Sequence, residues 1–118
     1  MTLLIFDVDG TLVQSTDKAD SLCFAGTFEQ VYGKPFPTID WRRYPHVTDT
    51  TIFRTVIREH FGREADHAEM FEFETVYVEA LRKNRLARPH HFFEIPGARA
   101  LMHRLLARPD YLLAVATG

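Results

Sequence analysis

The sequence 3-LLIFDVDGTL-12 decides how this chain folds. Four apolar residues in a row predict a short strand buried on both faces, as strands of parallel sheets are. Asp7 and Asp9 follow at the carboxyl end of that strand, which is where open α/β sheets place their ligands. A crowded pair of carboxylates repels, and a cation, a proton or hydrogen bonds must offset that repulsion. The stretch therefore predicts a functional site, since a purely structural turn gives no reason to place two acids there.

The bulk composition fits one small globular domain. The chain has 118 residues, 46% of them apolar and 25% charged, as is ordinary for a protein with a modest core. A net charge of −2 leaves no electrostatic footprint for nucleic acid, and no apolar run is long enough to span a membrane. The single cysteine, Cys23, excludes an internal disulfide, and the start lacks the pattern of a signal peptide. We therefore expect a cytoplasmic protein with no nucleic-acid or membrane partner.

Three amphipathic helices are predicted in the middle of the chain. Apolar spacing indicates a first helix from Thr16 to about Gly33, a second that ends at Gly62 and a third over about 66–84. The candidate N-caps are Ser15, Thr16 or Asp17 for the first helix and Thr48 or Asp49 for the second. Their aromatic residues are expected in the core, namely Phe53, Phe61, Phe71 and Phe73. Three such helices in succession predict a small helical bundle.

A second apolar strand is predicted near the end of the sequence. A helix opens at Pro96-Gly97 and closes at Pro109-Asp110, and the run 111–116 that follows has the pattern of another buried strand. This strand ends in Thr117-Gly118. Two parallel strands cannot form a well-covered sheet, so we expect the strand at 111–116 to keep an exposed edge.

These features resemble the haloacid dehalogenase-like (HAD) hydrolase superfamily, in its phosphoglycolate phosphatase-like subgroup with a helical cap. The opening signature of that superfamily is a hydrophobic strand followed by Asp-x-Asp-Gly-Thr, which residues 7–11 match without a mismatch. The second motif, a Thr or Ser at the end of a hydrophobic strand, fits Thr117. The resemblance implies an α/β fold: a Rossmann-like parallel-sheet hydrolase core, only its first part present, formed by residues 1–14 and 92–118. Residues 15–91 would be an inserted α-helical bundle, the cap domain.

The resemblance also implies a chemistry. Asp7 would be the nucleophile that attacks phosphorus, and Asp9 would protonate the leaving oxygen and later activate water. Thr11 would orient Asp9 through its hydroxyl, and Thr117 with the backbone near Gly118 would hold the phosphoryl group. Mg²⁺ would bridge the anionic substrate and the protein through the Asp7 carboxylate and the Asp9 backbone carbonyl. Asp9 favours phosphate esters over dehalogenation, because a halide leaves without a proton.

The resemblance breaks off after the second motif, so the chain looks truncated. The Lys or Arg of the third motif and the acidic pair of the fourth have no counterpart, and Lys18, Lys34 and Lys83 do not match by position. We expect a missing C-terminal half or a partner chain to complete the core, and little activity from these residues alone. The expected function is a Mg²⁺-dependent phosphatase of small organic phosphates that works through an aspartyl-phosphate. The alternatives are a phosphosugar mutase and a non-catalytic, truncated member that acts as a binding module.

Other polar groups carry weaker signals. Six histidines show no spacing typical of a zinc protease, and the side chains of His90 and His91 are expected to diverge because these residues are adjacent. Arg42-Arg43 is expected to be a solvated charge pair rather than a substrate contact. The run 48–50 could line the mouth of the cap, but helix capping already explains it.

Overall fold

The computed structural model describes residues 1–117, a small parallel sheet interrupted by a helical insertion. The elements in chain order are β1 (Thr2–Phe6), β2 (Val13–Ser15), α1 (Ala19–Tyr32), α2 (Asp49–Phe61), α3 (His67–Ala87), β3 (Phe92–Glu94), α4 (Ala98–Leu106) and β4 (Tyr111–Val115). Single 3₁₀ turns lie at Trp41–Arg43 and Pro89–His91. Strands β1 and β4 pair in parallel, with Leu3 opposite Leu112 and Phe6 opposite Val115. The α/β fold predicted from the sequence is confirmed.

The helical insertion has its own hydrophobic core. Its buried side chains come from α1, α2, α3 and the connection between the first two: Phe24, Phe28, Phe36, Tyr44, Ile52, Phe53, Val56, Ile57, Met70 and Phe73. The predicted helix ends at Gly33 and Gly62 are confirmed, since both residues adopt left-handed backbone with φ of +66°, which glycine adopts without a steric cost. The predicted bundle is therefore present and closes around aromatic rings.

One aromatic residue was assigned to this core wrongly. Phe53 and Phe73 are buried and Phe61 is half-buried, but Phe71 is 70% exposed. Phe71 lies two positions before Phe73 on α3 and therefore on another side of the helix.

The start of α1 differs from the prediction. None of Ser15, Thr16 and Asp17 caps the helix, which begins at Ala19 after two left-handed residues, Asp17 and Lys18, both with φ of 54°. The Ser15 hydroxyl instead donates to Asp20 Oδ1 at 2.8 Å. The other two caps follow ordinary rules, because Thr48 accepts from the Thr51 amide and Asp66 from the Glu69 amide.

Two short strands tie the insertion to the sheet. β2 and β3 form an antiparallel ribbon in which Val13 lies opposite Glu94 and Ser15 opposite Phe92. The sequence did not predict this ribbon, because three-residue strands carry no readable periodicity. The ribbon lies at the boundary proposed between residues 1–14 and 92–118 on one side and 15–91 on the other.

One face of the β1/β4 sheet is uncovered. Leu3, Ile5 and Leu112 share this face and are 53%, 63% and 57% exposed. The opposite face carries Leu4 and Leu113, which are half-buried. Within residues 1–117 neither strand has a second neighbour, so the expected exposed edge of β4 is confirmed. No helix in this part of the chain has both the length and the apolar character needed to cross a bilayer.

Candidate active site at the carboxyl end of the parallel strands

The turn after β1 places Asp7 and Asp9 just beyond the strand. The carbonyl of Val8 accepts from the amides of Thr11, Leu12 and Val13 at 3.1, 2.8 and 3.2 Å. Gly10, with φ of +76°, lets the chain reverse at this point, and its amide donates to the Val13 carbonyl. The Asp-Gly step of the motif is therefore a built turn that keeps both carboxylates exposed at the end of the sheet.

The two threonines of the motifs accompany one aspartate each. The Thr11 hydroxyl lies 3.5 Å from Asp7 Oδ2, and the Thr117 hydroxyl lies 3.4 Å from Asp9 Oδ2. Thr11 was expected beside Asp9, but the tight turn returns it to Asp7. Thr117 comes into position because β4 runs parallel to β1, and the Ala116 amide donates to the Phe6 carbonyl at 2.8 Å. Gly118, also predicted at the site, lies outside the described residues.

The oxygen atoms at this place are available for a cation. Within residues 1–117, no Lys, Arg or His nitrogen approaches the carboxylate of Asp7 or Asp9 within salt-bridge distance. The Asp9 carbonyl oxygen accepts no hydrogen bond from these residues either. Mg²⁺ prefers such oxygen donors and commonly takes one or two carboxylates with water and substrate phosphate completing its shell. The donor set fits the ion, although residues 1–117 supply no cluster of three ligating side chains.

A cavity of about 220 Å³ joins Asp9 to the helical insertion. Its remaining walls come from α1, the loop after it, and the facing sides of α2 and α3: Asp20, Ser21, Phe24, Trp41, Val47, Asp49, Ile52 and Tyr77. The insertion therefore places a wall that is partly aromatic and partly acidic beside the exposed Asp9.

Asp49 lines this wall, although the sequence favours a helix-capping role for the run 48–50 over a place at the mouth of the cap. Burial raises the pKa of its carboxyl to about 6, and the charges of Asp9 and Asp20 add to the shift. The run 48–50 was explained by helix capping, and Thr48 does cap α2. A helix has one N-cap residue, and Thr48 is the N-cap of α2. Capping therefore left Asp49 without a role, and that was the sequence signal that Asp49 could line the site.

Comparison with solved structures supports the fold. The whole chain is similar to a HAD hydrolase, family IA, variant 3, from Entamoeba histolytica, with a TM-score of 0.61 and 16% identity, and it covers 49% of that chain. This protein has a HAD hydrolase fold. A predicted phosphoglycolate phosphatase from Haemophilus somnus matches 98% of the chain with a TM-score of 0.51 and 20% identity, over 50% of its own length. The chain thus spans about half the length of these structures. No protein-family model and no curated protein matches its sequence.

Hydrogen bonds hold the aromatic side chains that line the cavity beside Asp9. The Trp41 indole nitrogen donates to Ser21 Oγ at 3.1 Å, and the Tyr77 hydroxyl lies 3.5 Å from the Asp20 carbonyl. Burial and the neighbouring charge of Asp49 raise the pKa of Tyr77, so its hydroxyl stays a hydrogen-bond donor at any physiological pH. Two aromatic rings with fixed polar edges therefore face the cavity.

The other candidate groups lie on the surface or in the turn between α3 and β3. Arg42 and Arg43 are both exposed, which confirms the expected solvated charge pair, and Arg42 also forms a bidentate ion pair with Asp40 at 2.8 and 3.1 Å. The expectation that His90 and His91 diverge is wrong, because their rings meet edge to face with centroids 4.6 Å apart. His91 Nδ1 is 3.2 Å from Asn84 Oδ1, which holds this ring against α3.

Proposed function

We propose that this chain supplies the nucleophile, the acid–base residue and the substrate cover of a Mg²⁺-dependent phosphate-monoester hydrolase. One observation carries the proposal: Asp7 follows β1 directly, Asp9 lies 3.4 Å from the Thr117 hydroxyl beyond the parallel strand β4, and a cavity walled by the helical insertion opens onto Asp9. The HAD fold and the names of the similar structures support the same reaction class.

In the first step the Asp7 carboxylate attacks the phosphorus of a bound ester. A new bond forms between this carboxylate and phosphorus, the bond from phosphorus to the ester oxygen breaks, and Asp9 gives its proton to that leaving oxygen. The product alcohol departs and leaves an aspartyl-phosphate. Asp9 suits the acid role because it lies two residues beyond the nucleophile and faces the cavity that would hold the leaving group.

In the second step water attacks phosphorus and Asp9 takes its proton. The bond between phosphorus and Asp7 breaks, inorganic phosphate is released, and both carboxyl groups return to their starting states. The Thr117 hydroxyl, 3.4 Å from Asp9 Oδ2, holds this carboxyl in place. A bound Mg²⁺, held by the Asp7 carboxylate and the Asp9 carbonyl, would supply charge neutralisation for the phosphate.

The substrate is a small organic phosphate, since the cavity over Asp9 measures about 220 Å³. The acidic wall at Asp20 and Asp49 disfavours a second anionic group at the end remote from the phosphate. We further propose a cytoplasmic location, because the single cysteine of the sequence is consistent with a reducing compartment.

A second polypeptide segment completes the core in this proposal. The uncovered face of Leu3, Ile5 and Leu112 is apolar, and the similar structures are twice as long. The segment would be either a C-terminal half of the same protein or a partner chain. It would cover this face and add the cation that Asp7 lacks among residues 1–117.

The proposal is tested by binding of beryllofluoride, a mimic of the phosphoryl group on an aspartate. Titration of the 118-residue chain with Mg²⁺ present, followed by ¹⁹F NMR, is expected to show one bound fluoride species that disappears when Mg²⁺ is removed. Asp7→Asn should abolish it and Asp40→Asn, a carboxylate on the surface, should not. Binding that survives Asp7→Asn would overturn the assignment of the nucleophile. Turnover of an aryl phosphate by the chain alone is expected to be negligible.

A non-catalytic binding module is the second candidate. The absence of a cation near Asp7 within residues 1–117 favours it, because an uncompensated carboxylate attacks an anionic phosphate poorly. Beryllofluoride binding at Asp7 would argue against this candidate. Product analysis with a hexose phosphate, in a protein that includes the second segment, would separate hydrolysis from the mutase alternative.

A further inference from the structure

A second and larger cavity lies on the other side of α3. It measures about 430 Å³ and is open to solvent between α3 and the β2–β3 ribbon. Its floor is apolar and combines residues of both elements: Val13, Val78, Leu81, Phe92 and Phe93. The size falls within the range of small-molecule pockets. None of the residues that line it also lines the cavity over Asp9.

The pattern of α3 explains why the helix serves two cavities. Tyr77 faces the cavity over Asp9, and the next residue, Val78, faces the second one. Val78, Leu81, Arg82 and Arg85 have the spacing i, i+3, i+4, i+7 and therefore form one stripe of the helix. This stripe turns towards the ribbon, away from the aromatic core of the insertion.

Three arginines surround the apolar floor. Arg82 and Arg85 come from α3 and Arg99 from the first turn of α4. Arg99 is paired with Glu94 at 3.2 Å, and Arg82 meets Glu79 only at 3.9 Å. Arg85 has no carboxylate within 4 Å among residues 1–117. The rim therefore carries an excess of positive charge, with at least one guanidinium free to bind an anion.

We propose that this arginine-rimmed pocket binds a small amphipathic anion: an aromatic or short aliphatic body with one carboxylate or similar acidic head. The body would cover Val78, Leu81 and the Phe92 ring, and the head would meet Arg82 and Arg85. Charge complementarity selects this ligand class, because guanidinium groups bind carboxylates through paired hydrogen bonds and a cation would be repelled. The site is independent of the proposed phosphatase reaction.

Such a ligand would contact both the helical insertion and strand β3. Its contacts with α3 would involve the insertion, and its contacts with Phe92 and Phe93 would involve the strand that returns to the sheet. Binding would therefore favour one orientation of the insertion relative to the parallel strands. The volume of about 430 Å³ fits a compact molecule rather than a protein segment.

The test compares three probes that share one body and differ in charge. 4-Phenylbutyrate, 4-phenylbutanol and 4-phenylbutylamine are titrated into the ¹⁵N-labelled 118-residue chain, and amide shifts are followed by NMR. We expect the carboxylate to bind about tenfold more tightly than the alcohol, as one charge-assisted pair implies, and the amine not to bind. The shifted amides should include those of Leu81 and Phe92.

Variants make the assignment specific. Arg82→Gln with Arg85→Gln should reduce phenylbutyrate affinity about tenfold and leave the alcohol unchanged. Arg104→Gln is the matched control, since Arg104 is an exposed arginine of α4 that does not line the pocket. Equal binding of carboxylate and amine, an unchanged affinity in the double variant, or shifts confined to the uncovered face at Leu3 and Ile5 would each overturn the proposal.

Discussion

The helical insertion and the parallel sheet differ sharply in how they are held together. All ten residues of the hydrophobic core cluster lie between Phe24 and Phe73, within the insertion. In the sheet, by contrast, Leu3, Ile5 and Leu112 remain more than half exposed. The insertion is therefore a nearly self-sufficient unit, whereas the sheet is one part of a larger layer. The main buried apolar cluster of this chain therefore lies away from its candidate catalytic carboxylates.

Truncation of a buried aromatic side chain in the insertion should lower the free energy of unfolding more than any other substitution considered below. Phe53 is fully buried, with its ring centroid 4.6 Å from that of Phe73. Phe53→Ala should lower the free energy of unfolding by about 3–5 kcal/mol, because it removes apolar burial and leaves a cavity. Urea denaturation followed by the Trp41 fluorescence would measure it, since Trp41 packs against the same cluster.

Phe71→Ala is the matched control for that substitution. Phe71 is on α3 but 70% exposed, so the same change should cost no more than about 0.5 kcal/mol. Comparable losses from the two variants would contradict the view that the insertion has a single aromatic core.

The long elements of this fold could be predicted from the sequence, and the reasons are physical. β1 and β4 are short continuous apolar runs, the pattern typical of buried strands in parallel sheets, and Gly33 and Gly62 mark helix ends because glycine readily adopts left-handed backbone. The positions of Asp7 and Asp9 followed from the strand that precedes them. These features depend on neighbours in the chain, which a sequence displays directly.

The parts that escaped prediction depend on contacts between distant residues. β2 and β3 exist only because each pairs with the other across the whole insertion. Asp49 is a cap candidate in the sequence, and only the packing of α2 near Asp9 shows that it lines the cavity. In each case a contact with a residue far away in the sequence decides the structure, and local sequence patterns do not show such contacts.

Asp49 belongs to the insertion and lines the cavity beside Asp9. Ionisation of its carboxyl should lower the stability of the folded protein. Its pKa, about 6 in the folded protein, lies above the usual value because of burial and the charges of Asp9 and Asp20. The folded state thus binds the proton more tightly, and stability should fall as pH rises from about 4 to about 6. Asp49→Asn should remove this loss and stabilise the protein at pH 7.5 by about 1.5 kcal/mol, a figure reduced for solvent screening.

Thermal unfolding of Asp49→Asn and wild type at pH 4 and pH 7.5 measures the effect, with Asp40→Asn as the control. Asp40 has a lowered pKa because Arg42 binds it, so its contribution is present at neutral pH and is lost on acidification. The two variants should therefore differ from wild type in opposite directions at neutral pH. A gain for Asp49→Asn that is the same at both pH values would contradict the assignment.

Loss of a helix cap in the insertion should have a smaller effect. The Thr48 hydroxyl accepts from the Thr51 amide at 3.2 Å and holds the first turn of α2. Thr48→Ala should lower the free energy of unfolding by about 1 kcal/mol, whereas Thr48→Ser keeps the hydroxyl and should cost little. Urea denaturation of both variants measures the difference, and equal losses would show that the hydroxyl does not cap the helix.

The smallest effect is expected on the uncovered face of the sheet. Ile5 is 63% exposed, and Ile5→Thr keeps a β-branched side chain, so the chain alone should lose less than about 0.5 kcal/mol. A loss above 1 kcal/mol, or a melting temperature that rises with protein concentration, would mean that another copy of the chain already covers this face. Where the proposed second segment is present, Ile5→Thr replaces a buried apolar side chain by a polar one and should lower the free energy of unfolding by about 1–3 kcal/mol. The difference between the two measurements therefore reports how much of the sheet that segment buries.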